Sequence, residues 1–130
     1  MCRGQSVVMD GKVYYGGGET EADEPENSYC YFIQCYDPSQ DKWTILPQLK
    51  LGVRYFGLGQ LDGHLVAAGG EMRSKSSGKF ERSKCVQRLD SNSWRSDKIP
   101  PMLLALIHPA VISHSSTLIV AGGEFFNEVT

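Results

Sequence analysis

The sequence predicts an all-β fold built from repeated four-stranded antiparallel sheets. Three observations carry the prediction. An apolar strand ending on a double glycine occurs three times, at Met9–Glu19, Leu61–Glu71 and Ser115–Glu124. Other landmarks keep the same beat: Gly17 to Gly69 is 52 residues and Gly69 to Gly122 is 53, while Tyr36-Asp37 returns as Leu89-Asp90, Trp43 as Trp94, and Leu46-Pro47 as Ile99-Pro100. Between these landmarks lie short apolar runs broken by turn signals, with no 3.6-residue periodicity.

Each element follows in order. Residues 6–9 and 12–16 are apolar runs joined by Asp10-Gly11, the dipeptide that suits a type I′ hairpin because both central residues need positive φ. Residues 29–36 read as a third strand rich in aromatics, which Asp37-Pro38 ends as a turn. Residues 42–46 read as a fourth strand carrying Trp43. The second unit repeats the plan at 55–61, 64–68, 84–89 and 93–96, and a third begins at 109–113 and 117–121. The run Leu103–Ile107 is too short and too close to prolines to stand as a helix.

Composition bounds the class. The 130 residues give room for one ordinary domain, and 41% apolar against 22% charged residues is a globular balance. Glycine, at 14 residues, exceeds the usual share of about 7%, which fits a chain of many tight turns. The formal charge of −2 lacks the basic excess of a nucleic-acid module. No run reaches the ~18 consecutive apolar residues of a membrane helix. Four cysteines are too few for a disulfide scaffold, and Cys30 and Cys35, five apart on one strand, fall on opposite faces. Reduced thiols and a cytoplasmic location are therefore expected.

The double glycine after an apolar strand, the Tyr36-Asp37 pair and Trp43, in a unit of about 50 residues, resemble the Kelch repeat. Arg54-Tyr55-Phe56-Gly57 is similar to the Arg-x-x-Gly segment that opens a Kelch unit, although Leu89 replaces the aromatic before Asp90 and Ile107 stands where Arg54 predicts a base. The resemblance implies a partial β-propeller in which each unit is one four-stranded blade: residues 1–52, residues 53–105, and the first two strands of a third blade in 106–130. It also implies structural roles for Gly17, Gly18, Gly69, Gly70, Gly122 and Gly123 at close approaches between blades, for Tyr36, and for Trp43 and Trp94 between adjacent sheets. A propeller closes with about 4 to 8 blades, so the chain is expected to be a segment of a longer one whose open sides expose apolar faces.

A protein-interaction module, a segment of an adaptor or scaffold, is the function the resemblance implies, with protein partners, no nucleic acid, no membrane, no cofactor and no metal. Two alternatives stay open: part of a Kelch-type carbohydrate enzyme, either a copper oxidase or a sugar mutarotase, and a truncated product without its own function. His64, His108 and His114 form no recognisable ligand pair, and no nucleophile–base pair stands out. The candidate binding residues lie in the loops after each double glycine. The first holds Glu19, Glu21, Asp23, Glu24 and Glu26 without a base; the second, 71–84, holds Arg73, Lys75, Lys79, Arg82 and Lys84 against two acids, with Phe80 among them. Opposite charge on neighbouring loops of a rigid scaffold suits partner steering, although long polar loops are also charged simply to stay soluble. The resemblance places Arg54 at the mouth of the central channel, with pairing to a carboxylate as the alternative.

Overall fold

The computed structural model describes residues 4–17, 33–74 and 76–123, and the strands come in hairpins. The first sheet is a meander of β1 (Gln5–Met9), β2 (Lys12–Gly16), β3 (Ile33–Asp37) and β4 (Lys42–Ile45), in that spatial order. The second contains β5 (Gly57–Leu61), β6 (His64–Ala68), β9 (Val86–Asp90) and β10 (Ser93–Arg95), again hairpin to hairpin. Between β6 and β9 the chain makes a separate ribbon, β7 (Glu71–Arg73) with β8 (Phe80–Arg82), where the sequence suggested only a loop. The last hairpin is β11 (Ala110–His114) with β12 (Thr117–Ala121). Among the described residues there is no helix, so the expected all-β class and the four-stranded antiparallel blades are both present.

The hairpin turns follow from backbone chemistry. Asp10 and Gly11 sit at φ 53° and 74°, Asp62 and Gly63 at 50° and 80°, and Ser115 and Ser116 at 46° and 64°, so all three inner hairpins turn through two left-handed residues. Registers Met9↔Lys12, Leu61↔His64 and His114↔Thr117 close directly over those turns. At the β3–β4 turn, the Asp37 carboxylate accepts hydrogen bonds from the Ser39 backbone N–H (3.0 Å) and hydroxyl (2.6 Å).

One apolar layer lies between the two four-stranded sheets and another between the second sheet and the last hairpin. The first holds Leu49, Val53, Phe56, Leu58, Leu65, Ala67 and Trp94, with Val7, Met9 and Tyr14 of the first sheet packed on them. The second holds Val66, Ala68 and Val86, covered by Val111, Leu118 and Val120 from the last hairpin. Leu65 and Ala67 therefore face one neighbour while Val66 and Ala68 face the other, as period-2 alternation demands, and β6 is buried along Leu65–Ala68. The flanking β1 and β11 alternate between covered and exposed positions because only one of their faces has a neighbour.

The inner strands β1, β5 and β11 lie side by side, with β5 in the middle. Glycine allows this approach: a Cβ on Gly57 or Gly59 would come within 2.6 or 2.5 Å of the Val111 side chain. The Gln5 side chain ties the three together, accepting from the Leu58 N–H (3.1 Å) and donating to Pro109 O (2.7 Å). Gln60 Nε2 donates to Ser113 Oγ at 2.9 Å, a second link between β5 and β11.

Candidate protein-interaction surface

The double-glycine ends knit one blade to the next through the backbone. Tyr55 N–H donates to Gly17 O (3.0 Å), His108 N–H donates to Tyr55 O (2.8 Å), and Gly70 N–H donates to Leu106 O (2.8 Å). Gly70 sits at φ 90°, and a Cβ there would meet Arg54 O at 2.5 Å; Gly69, at φ 71°, would meet Leu106 O at the same distance. Gly17 lies against Phe56 O, Gly123 lies against Ile107 O, and Gly122 has φ 69° in open space. Gly18 lies outside the described residues.

Arg54 is held within the second blade. Its backbone exchanges two hydrogen bonds with Glu71, each 2.9 Å, and its Nε donates to Glu71 Oε1 at 2.7 Å. Its guanidinium lies 3.5 Å from the Phe80 ring centroid and 4.9 Å from that of Tyr55. The Tyr55 ring in turn stacks on His108 at 4.5 Å. The Arg54 and Glu71 side chains are only 11% and 12% exposed. Of the two roles the sequence left open for Arg54, the geometry shows the carboxylate pairing, and it turns Phe80 towards that cation.

The β7–β8 ribbon holds the basic segment on a hydrogen-bonded frame. Ser83 N–H bonds back to Gly70 O (2.8 Å), Ser74 N–H to Lys79 O (2.7 Å) and Gly78 N–H to Ser74 O (2.9 Å). Lys79 and Lys84 are exposed and Arg82 is half-buried. The Arg73 backbone pairs with Phe80, and Lys75 lies outside the described residues. The acidic candidates Glu19, Glu21, Asp23, Glu24 and Glu26 also lie outside them, as does the expected strand portion 29–32.

The two tryptophans differ, and one expectation is corrected. Trp94 is 4% exposed in the layer between the first two blades, and its Nε1–H donates to Pro47 O at 2.9 Å. Trp43 is 55% exposed and leans on Tyr36, 5.0 Å between centroids, so it does not lie between sheets. The cause is positional. Each such tryptophan covers the blade before its own, and among the described residues no blade packs on that face of the first sheet.

Sequence reasoning passed over Gln87. It is 1% exposed, its Oε1 accepts from Leu51 N–H (3.0 Å) and its Nε2 donates to Leu51 O (3.2 Å), so one side chain clasps both polar groups of the connection between blades. Gln34 stands 53 residues earlier in β3, and that spacing was the signal available. His64 Nδ1 lies 3.2 Å from Leu89 O and 3.5 Å from Asp90 Oδ1. Two hydrogen bonds from Arg88 (2.7 and 3.0 Å) hold the Asp90 carboxyl below the usual carboxylate range. Cys35 and Cys85 are free thiols.

Comparison with known proteins completes the picture. The family model described as the Kelch motif matches residues 2–50. Kelch repeat and BTB domain-containing protein 2 of horsepox virus is 26% identical over 92% of this chain and 23% of its own length. Kelch-like protein 15 of Homo sapiens is 28% identical over 78% of this chain and 17% of its own. Residues 2–50 thus match the Kelch motif, and the chain is similar to Kelch-repeat proteins. Kelch-like protein terF of Aspergillus terreus is 42% identical over a shorter stretch, 35% of this chain and 10% of its own. The fold is also shared with a solved structure, "Structure of YjhT", at TM-score 0.57 and 13% identity, covering 96% of this chain and 62% of that one. The chain spans about a fifth of the length of the first curated relatives it matches.

Proposed function

We propose that this chain is a non-enzymatic protein-interaction module, a run of Kelch blades that works within a larger propeller of an adaptor or scaffold protein. The β7–β8 ribbon is the observation that carries the reading. It continues the chain from a blade packed on both faces, and backbone hydrogen bonds hold the basic segment in one shape. A stiff support lowers the ordering cost of recognition, and exposed Lys79 and Lys84 suit an acidic patch on a partner protein. The relatives agree in kind, since their names describe Kelch repeats and, in the poxvirus proteins, a BTB domain. Blade limits of 1–52, 53–105 and 106–130 and a cytoplasmic setting belong to the same proposal.

The test is quantitative affinity capture with the full-length protein, comparing the natural sequence with a Lys79→Glu, Lys84→Glu double variant. Both side chains are exposed, so the fold should tolerate the change. Loss of a reproducible set of acidic partners supports the reading. An unchanged partner profile removes the ribbon from the binding surface.

A further inference from the structure

The serines of this chain differ in what precedes them and in how the fold holds them. Arg-x-x-Ser occurs three times, at Arg3–Ser6, Arg73–Ser76 and Arg88–Ser91. An arginine three residues before a serine suits a protein kinase whose peptide cleft is lined with carboxylates, because the pair makes charge-assisted hydrogen bonds. Such a cleft also receives its segment extended, so the ease of local opening decides which serine it reaches.

Ser6 fails on the second count. It lies inside β1 paired with Tyr15, and its strand neighbours Val7 and Met9 pack on the first apolar layer. Drawing it out would take the first sheet apart. Ser91 fails on both counts. It sits in the tight β9–β10 turn at φ 55°, and Arg88 Nε and Nη2 are bonded to the Asp90 carboxylate at 2.7 and 3.0 Å. A kinase carboxylate would have to displace Asp90, whose charge directly before the serine repels an acidic cleft.

Ser76 meets both conditions. It is exposed at the tip of β7–β8, which forms a two-stranded sheet of its own. The tip is closed by backbone bonds among Ser74, Gly78 and Lys79, so it can open while both four-stranded sheets stay intact. Its hydroxyl lies 3.0 Å from another hydroxyl, Ser74 Oγ, whereas Ser77 Oγ accepts the Lys79 N–H at 3.2 Å and helps to hold the turn. From residue 72 to residue 80 the sequence has no acid, and Lys75 and Lys79 add positive charge on either side of Ser76.

We infer that Ser76 is a phosphorylation site for a base-directed protein kinase using ATP. Ser76 Oγ attacks the γ-phosphorus as that atom's bond to the β,γ-bridging oxygen breaks; ADP leaves, and the hydroxyl proton passes to a carboxylate of the kinase. The phosphoserine carries about −1.5 to −2 charge at neutral pH, within a segment, 71–84, of five bases and two acids. Most of the basic excess is thereby cancelled, and a partner held through an acidic patch is released. The release rests on the reading of the ribbon given above; the site itself does not.

The full-length protein is incubated with Mg-ATP and calcium/calmodulin-dependent protein kinase II, which reads an arginine at that spacing, and the phosphate is mapped by tandem mass spectrometry. Phosphate is expected first at Ser76, absent there in Ser76→Ala, and slowed about tenfold in Arg73→Gln, the worth of one hydrogen bond to a charged group. No phosphate at Ser76, equal or faster labelling of Ser6 or Ser91, or an unchanged rate in Arg73→Gln would overturn the site. The phosphorylated protein is then compared with the unmodified one in affinity capture, beside the Lys79→Glu, Lys84→Glu variant. Loss of the same acidic partners in both is expected. Loss in the variant alone would overturn the release, whereas unchanged capture in both would overturn the ribbon reading and the release with it, leaving the mapped phosphate to stand.

Discussion

Single backbone positions carry the joints between blades, and glycine illustrates the physics. Gly63 and Gly70 both have positive φ, at 80° and 90°, yet only Gly70 faces a neighbour, with Arg54 O 2.5 Å from where a Cβ would stand. Alanine at position 63 adds only the left-handed penalty, about 1 kcal/mol. Gly70→Ala adds a backbone collision to that penalty and must displace the Arg54–Glu71 bridge, so its cost should be at least about 2 kcal/mol larger. Denaturant unfolding of the two variants checks the ordering; equal losses would mean that the approach at Gly70 relaxes freely. Gln87 is the polar counterpart, since a buried amide is tolerated only because both its ends are satisfied by Leu51.

At the scale of elements, a repeated motif acquires different energetics in each copy. Trp94 sits in a packed layer with its N–H bonded to Pro47 O, while Trp43, at the same point of the repeat, is half out in water. Truncating Trp94 to alanine removes a large buried ring and leaves a void, so a loss of about 3–5 kcal/mol is expected. Trp43→Ala removes a contact with Tyr36 and should cost about 1 kcal/mol or less. Thermal or chemical unfolding of the pair checks this contrast, and comparable losses would mean that the first sheet's outer face is covered in solution.

At the scale of the whole fold, the described residues leave two outer apolar faces uncovered. Val8, Trp43 and Ile45 stand exposed on the first sheet, and Ile112 and Ile119 on the last hairpin. Contiguous apolar faces of this kind favour association. The protein is expected to self-associate in a concentration-dependent way, and a Trp43→Lys, Ile45→Lys, Ile112→Lys variant should shift it towards monomer in sedimentation velocity. A natural chain that stays monomeric at every concentration would show that these faces are individually too small to associate.

The sequence by itself determined the repeat, the all-β class, the hairpin turns and the family resemblance. These depend on local chemistry: Asp10-Gly11 and Asp62-Gly63 need no distant partner to favour a two-residue turn, and a 53-residue beat is visible as letters. Only the tertiary structure decided which copy of each motif is buried, because burial depends on whether a neighbouring blade is present and the motif reads the same either way. Trp43 and Trp94 are the plainest case. The same holds for the candidate surface: Arg54 and Phe80 looked available as letters, and the short β7–β8 ribbon folds them onto each other and onto Glu71. Three-residue strands leave too little alternation to be read from sequence, so the ribbon had to be seen.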